Sequence, residues 1–173
     1  EKPVSRVTWD VEAAAKGGFD HFMLKEIIEQ PRALKATLDP RIKNGKVVLD
    51  DFHLTDEELN NLHKIYITAC GSAYYAGQAG KYVIEELARI PVETDIASEL
   101  RYRNPIIDEH TLMIVISQSG ETADTIAALR EAKECGAKTL AICNVVGSTI
   151  ARLADTVLYT WAGPEIAVAT TKG

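Results

Sequence analysis

Apolar residues recur at threes and fours between residues 19 and 38, where Phe22, Met23, Ile27, Leu34 and Leu38 mark one helical face. Pro31 lies inside that stretch. A proline removes a helix donor and crowds the preceding turn, so a kink, or two helices joined near Gln30, is expected. Residues 1–18 are mixed and end on the break Gly17-Gly18, while Asp39-Pro40 closes the helical segment. Asn44-Gly45 then separates Arg41-Ile42-Lys43 from Lys46-Val47-Val48-Leu49, which suits a small hairpin or an extended loop. Thr55 followed by Glu58 is a capping-box pattern and opens a short helix to about Leu62.

Beyond residue 60 the pattern becomes regular. Ile65-Tyr66-Ile67-Thr68-Ala69 is a short β-rich run ending in Cys70-Gly71-Ser72. A helix follows to about Ala88, with Ala76, Ala79, Val83, Ile84 and Leu87 as its apolar positions, and Pro91 stops it. Val92 to Ile96 is a second strand, and Ser98 to Arg103 suits one helical turn. Leu112-Met113-Ile114-Val115-Ile116 is a wholly apolar strand that ends in Ser117-Gln118-Ser119-Gly120. A helix from about Glu121 to Glu134 is closed by Gly136. Leu140 to Cys143 is a fourth strand, Ser148 to Leu153 a short helix, and Val157-Leu158-Tyr159 a fifth strand.

Strands alternating with helices through short loops imply right-handed crossovers and a parallel sheet. Continuous apolar runs, rather than alternation, imply strands covered on both faces. The expected fold is therefore α/β: a three-layer, doubly wound, five-stranded parallel sheet of the flavodoxin-like or Rossmann-like kind, over residues 61–173. A linker and helical arm, residues 1–60, precedes it.

Composition narrows the function. The 173 residues are 46% hydrophobic and 25% charged, ordinary for a globular protein. Net charge is −6, which gives nucleic acid no electrostatic footprint and means that an anionic ligand must be held locally. No apolar run approaches the roughly 20 residues that span a bilayer, so no membrane partner is expected. Cys70, Cys135 and Cys143 are an odd number without C-x-x-C spacing, which fits a reducing, cytoplasmic compartment, and Cys70 and Cys143 read as small core residues. His21, His53, His63 and His110 show no metal spacing and read as surface residues. The chain opens on Glu1 and stops at Gly173 after an apolar stretch, so both ends are expected to continue in a longer protein.

In open parallel sheets, ligands bind beyond the carboxyl ends of the strands, where helix N-termini direct their N–H groups outward. Two strand-to-helix turns carry suitable residues. In the first, Gly71 lets the backbone approach a ligand and Ser72 can donate, although a glycine-serine turn is also ordinary turn chemistry. The second, Ser117-Gln118-Ser119-Gly120-Glu121-Thr122, crowds four hydroxyl or amide side chains into one bend. Ser119 is placed at the N-cap and Thr122 one turn along. Together they can offer a phosphate several neutral donors and the positive end of the helix. The alternative is that Ser119 and Thr122 only cap the helix. Glu121 reads as a first-turn residue serving the helix dipole rather than a catalytic acid. No Lys-Ser/Thr phosphate loop and no G-x-G-x-x-G is present, which disfavours nucleotide triphosphates and dinucleotides.

Ser117-Gln118-Ser119-Gly120-Glu121-Thr122-Ala123-Asp124-Thr125, with Cys70-Gly71-Ser72, resembles the sugar isomerase (SIS) domain family. More narrowly, the chain is similar to the first of two such domains in the glutamine–fructose-6-phosphate aminotransferase (glucosamine-6-phosphate synthase) family. The similarity extends to His21-Phe22-Met23-Leu24-Lys25-Glu26-Ile27, Glu29-Gln30-Pro31, Ala97-Ser98-Glu99, Arg101-Tyr102-Arg103, the 140–145 stretch and the 163–169 stretch. The resemblance implies that Ser117, Ser119 and Thr122 hold the phosphate of fructose 6-phosphate or glucosamine 6-phosphate, and that Gln118 helps through its backbone. It implies that Gly71, Ser72 and the Val168 backbone lie against the sugar. It also implies a homodimer and no metal or organic cofactor.

Two departures are visible: Ser72-Ala73 stands where the family usually has Thr-Ser, losing a hydroxyl near the phosphate, and Gly173 stands where Ala-Phe usually follows the lysine. In that family a glutaminase domain, a second SIS domain and a C-terminal tail supply ammonia and the acid–base and imine groups. This stretch alone is expected to bind hexose phosphate and to catalyse nothing. Rival readings are a sugar-phosphate sensor of a transcription regulator, although residues 1–60 show no basic recognition helix, and a flavodoxin-like mononucleotide binder, although no aromatic residue flanks the phosphate turn.

Overall fold

The computed structural model describes residues 14–49 and 52–173. The chain divides into two units, residues 51–158 and residues 1–50 with 159–173. The segment following the sheet, residues 159–173, thus groups with the arm.

In the larger unit, β3 (Lys64–Ala69), β4 (Val92–Ile96), β5 (Thr111–Ser117), β6 (Lys138–Cys143) and β7 (Thr156–Tyr159) form one five-stranded sheet in the order β4-β3-β5-β6-β7. The β3–β4, β3–β5 and β5–β6 ladders are parallel, and Ala69 lies level with Ile96 and Ile116, as Ser117 does with Cys143. The carboxyl ends of four strands therefore meet at one edge. Five strands appear where the apolar runs predicted them, each within about two residues.

The pleat explains the continuous apolar runs. Tyr66, Met113, Val115 and Ala141 face one way, against Ala97 and Leu100 of α4 (Ala97–Leu100) and Ala128, Leu129 and Ala132 of α5 (Ala123–Glu134). Ile65, Ile67, Leu112, Ile114 and Leu140 face the other way, with Phe52, Leu54 and Leu62, and with Ile84 of α3 (Ser72–Ala88). Every central strand is buried on both sides, so period-two alternation has no reason to appear.

The capping box forms as expected at α2 (Asp56–Asn60): Glu58 N–H donates to Thr55 Oγ1 at 3.2 Å and Thr55 N–H to Glu58 Oε2 at 2.9 Å. Glu58 also takes Lys138 of β6 at 2.6 Å. That hydrogen bond, with those from Thr55, holds the Glu58 carboxyl down at about 2.

In the smaller unit, α1 (Phe22–Leu38) runs unbroken for 17 residues through Pro31, so the expected division near Gln30 does not occur. Its charged face is buried against residues 165–172 and holds that segment. Glu26, 2% exposed, accepts from Ile166 N at 2.6 Å and from Ala167 N at 3.2 Å. Lys172 pairs with Glu29 at 2.5 Å, and Gln30 donates to Thr171 O at 2.5 Å. These tertiary contacts outweigh the one hydrogen bond that Pro31 removes. β1 (Ile42–Lys43) and β2 (Lys46–Val47) form the hairpin, and Asn44 and Gly45 both take the positive φ that a primed two-residue turn requires.

Two outcomes follow from these contacts. Glu26→Ala leaves two part-buried N–H groups without their carboxylate, at a cost of about 1 kcal/mol, and amide exchange at Ile166 and Ala167 is expected to accelerate. The Glu58 carboxyl titrates below its unfolded value, so its stabilisation is complete above about pH 4.5 and is lost as the pH falls toward about 2. Glu58→Gln is expected to flatten the melting temperature in that window and to leave its slope at neutral pH unchanged.

Candidate functional site

The chain leaves β3 for one flank of the sheet and β5 for the other, so the strand order reverses between them. Such a switch point separates two adjacent loops at the carboxyl edge and leaves a crevice there. Both turns singled out in the sequence flank it. Gly71, with φ +62°, precedes Ser72 at the first position of α3, and Ser117 to Thr122 lead from β5 into α5. The two meet across the crevice floor, where Thr125 Oγ1 lies 3.9 Å from Cys70 Sγ.

The second turn is built from its own side chains. Gly120 N–H donates to Ser117 Oγ at 3.1 Å, and Ser117 Oγ shares a 3.1 Å hydrogen bond with Thr122 Oγ1. Ser117 is buried, so it sets the Thr122 hydroxyl from below. Glu121 N–H donates to Ser119 Oγ at 3.2 Å, a local side-chain turn rather than a helix cap. The N-cap is Thr122, not Ser119, and α5 begins at Ala123. The reason is Gly120: its φ of +65° carries the chain on through the bend, and Thr122 has the extended backbone of an N-cap. Among the described residues no side chain closes the α5 N-cap, and none closes that of α3 at Gly71, so first-turn N–H groups of both helices remain as donors that an anion can take.

Glu121 also differs from its expected role. It precedes the N-cap, and its carboxylate accepts from Thr149 N at 2.7 Å, at the start of α6 (Thr149–Leu153). Hydrogen bonding at Thr149 holds its carboxyl below the usual range, with help from Arg152. Three further contacts from this loop are invisible in sequence. Asn144 N–H donates to Gln118 O at 3.0 Å, Ile150 N–H donates to Gly120 O at 3.0 Å, and Ser148 is buried against Gly120. Gly147-Ser148 before a short helix was the available signal, and it named no partner.

Gly71, Ser72, Ser117, Gln118, Ser119 and Thr122 are thus gathered on the larger unit, around the switch point. Val168 lies in the other unit, fully exposed within the segment held by Glu26. Among the described residues no cluster of histidine, cysteine, aspartate or glutamate could hold a metal ion, and no helix is long and apolar enough to cross a membrane. Cys143 is buried, which raises its thiol to about 11, while Cys135 is exposed.

Residues 58–173 match the SIS domain family. The chain is 64% identical over 173 residues to the glutamine–fructose-6-phosphate aminotransferase (isomerizing) of Clostridium acetobutylicum, and 65% identical over 172 residues to that of Caldanaerobacter subterraneus. Each alignment covers 99% of this chain and 28% of the relative, so the chain spans under a third of their length. It also superimposes on the C-terminal domain of glucosamine-fructose-6-phosphate aminotransferase from Francisella tularensis with a TM-score of 0.85 and 43% identity, over 91% of this chain and 45% of that one.

Gly120→Ala tests how the turn is built. The added Cβ would lie 2.5 Å from Ser148 Cβ, on a backbone with φ +65°. Strain and overpacking together are expected to cost about 2–4 kcal/mol in urea unfolding. Adding Ser148→Gly is expected to recover the overpacking part.

Proposed function

We infer, since this chain belongs to the SIS domain family, that the crevice at its strand switch point binds the phosphate of fructose 6-phosphate or glucosamine 6-phosphate. The observation that carries this reading is the 117–122 turn. It sets hydroxyls at the mouth of an α5 N-terminus whose cap is left open, beside the Gly71-Ser72 turn. Ser119 and Thr122 donate to phosphate oxygens together with first-turn amides of α5, Ser117 orients Thr122, and Gln118 contributes its backbone. Gly71 and Ser72 lie toward the sugar.

Magnitudes decide what holds the ligand. Hydrogen bonds to a charged group contribute about 1.5–3 kcal/mol each, whereas a helix end contributes about 0.3–1 kcal/mol. The hydroxyl and amide contacts therefore dominate, and no cation inside the turn is required. With Ala73 in place of the family's serine, one such contact is missing.

The relatives' names support a wider proposal: the chain is the phosphosugar-binding part of an isomerising aminotransferase that converts fructose 6-phosphate and glutamine to glucosamine 6-phosphate and glutamate. The reaction belongs to hexosamine biosynthesis in the cytoplasm. Association as a homodimer completes the proposal, supported by the exposed apolar stripe Tyr75, Tyr82, Val83 and Leu87 on α3.

Calorimetric titration of the 173-residue chain with either hexose phosphate is expected to show one site. Ser119→Ala and Thr122→Ala are each expected to weaken binding by about tenfold or more. No heat with either sugar phosphate, or an equal response to FMN, would overturn the reading.

A further inference from the structure

The anion site proposed above carries its nearest charges in an unhelpful place. Between Ser117 and Thr125 there is no lysine or arginine, yet there are two carboxylates, Glu121 and Asp124. Asp124 occupies the first turn of α5, at the helix end where a phosphate would sit. A carboxylate there favours the free helix through its dipole and opposes an incoming dianion. Glu121 is engaged by Thr149 N–H at the start of α6, with Arg152 beside it.

Asp124 is met by a different element. Arg101, the residue that closes α4, places Nη1 2.7 Å from Asp124 Oδ1. The main chain that carries it is pinned on both sides. Leu100 is buried against the α5 core, and Arg103 pairs through Nε with Asp95 at 3.0 Å and donates from Nη2 to Tyr66 OH at 2.6 Å. Burial pushes the Tyr66 phenol up to about 12, so it stays protonated at neutral pH. The guanidinium is thus delivered to the α5 N-terminus by a fixed support.

Resting on the phosphate-site reading, we propose that Arg101 is a positioning residue for phosphate binding: it acts through Asp124, whose carboxylate it engages and neutralises at the end of α5. The Arg101–Asp124 pair keeps the helix end electropositive toward a ligand while retaining an acidic residue that suits the helix when the site is empty. Both side chains are about a third exposed (34% and 37%), so the effect is graded rather than absolute.

The test is titration of the 173-residue chain with fructose 6-phosphate and with inorganic phosphate, for the wild type and for Arg101→Ala, Arg101→Lys, Asp124→Asn and the Arg101→Ala/Asp124→Asn double variant. Arg101→Ala is expected to weaken binding about threefold to tenfold, and Arg101→Lys to stay within about twofold of wild type because the charge is kept. The double variant is expected to bind like wild type, a rescue that a purely structural role for Arg101 would not produce. At about 1 M salt, where the screening length falls to about 3 Å, the wild-type to Arg101→Ala ratio is expected to shrink. Unaltered binding by Arg101→Ala, or a double variant as weak as Arg101→Ala, would overturn the inference while wild-type binding still upheld the phosphate site. A wild type that binds neither ligand would overturn both.

Discussion

The candidate site depends on one close approach, between Gly120 and Ser148. The 117–122 turn has no rigid core of its own, only short hydroxyl contacts that water could replace. It becomes a fixed object because the loop after β6 docks on it, giving Asn144 N–H to Gln118 O and Ile150 N–H to Gly120 O. That docking requires a residue without a Cβ at 120, since any side chain would meet Ser148. The same glycine supplies the positive φ that postpones the helix to Ala123. A single absent methyl group therefore sets the turn's shape, its anchorage and the place where α5 opens its N–H groups.

An anion site within a chain of net charge −6 must solve its electrostatics locally. At the proposed site neutral donors stand at the centre and carboxylates engaged by neighbouring elements stand at the rim. Glu121 is engaged by the start of α6 and Asp124 by Arg101, each from a separate loop at the carboxyl edge of the sheet. Loops converge there because the parallel ladders bring four strand ends level. Topology, rather than any one motif, supplies the neighbours that engage these two carboxylates.

The smaller unit accounts for the length of the sequence similarity. Its α1 motif carries Lys25, Glu26 and Glu29 on a face that a simple amphipathic reading would assign to solvent. Glu26 and Glu29 instead receive the backbone of 166–167 and the buried amine of Lys172. Removing one partner of such a pair leaves a charge without compensation, which restricts both partners. The arm motif and the 163–169 stretch, which lie far apart in the chain, are therefore two halves of one set of contacts.

Local chemistry determined much of this protein. Doubly buried strands need unbroken apolar runs, so the five strands were legible, as were the Thr55–Glu58 capping box, the Asn44-Gly45 hairpin and the hydroxyl-crowded turn after the third apolar run. The errors fell where distant residues compete with local preference. Ser119 was read as the N-cap and Glu121 as a dipole residue because both suit the local sequence, but Gly120's φ and the Thr149 amide assign the cap to Thr122 and give Glu121 to another helix. Pro31 suggests a kink or a division near Gln30 because one lost hydrogen bond is visible locally, whereas Glu26, Glu29 and Gln30 bonding to residues 166–172 is not. Side-chain period and turn chemistry act over a few residues, and sequence reports them. Arg101 meeting Asp124, or Ser148 meeting Gly120, depends on which strand ends the sheet sets side by side, and only the folded chain decides that.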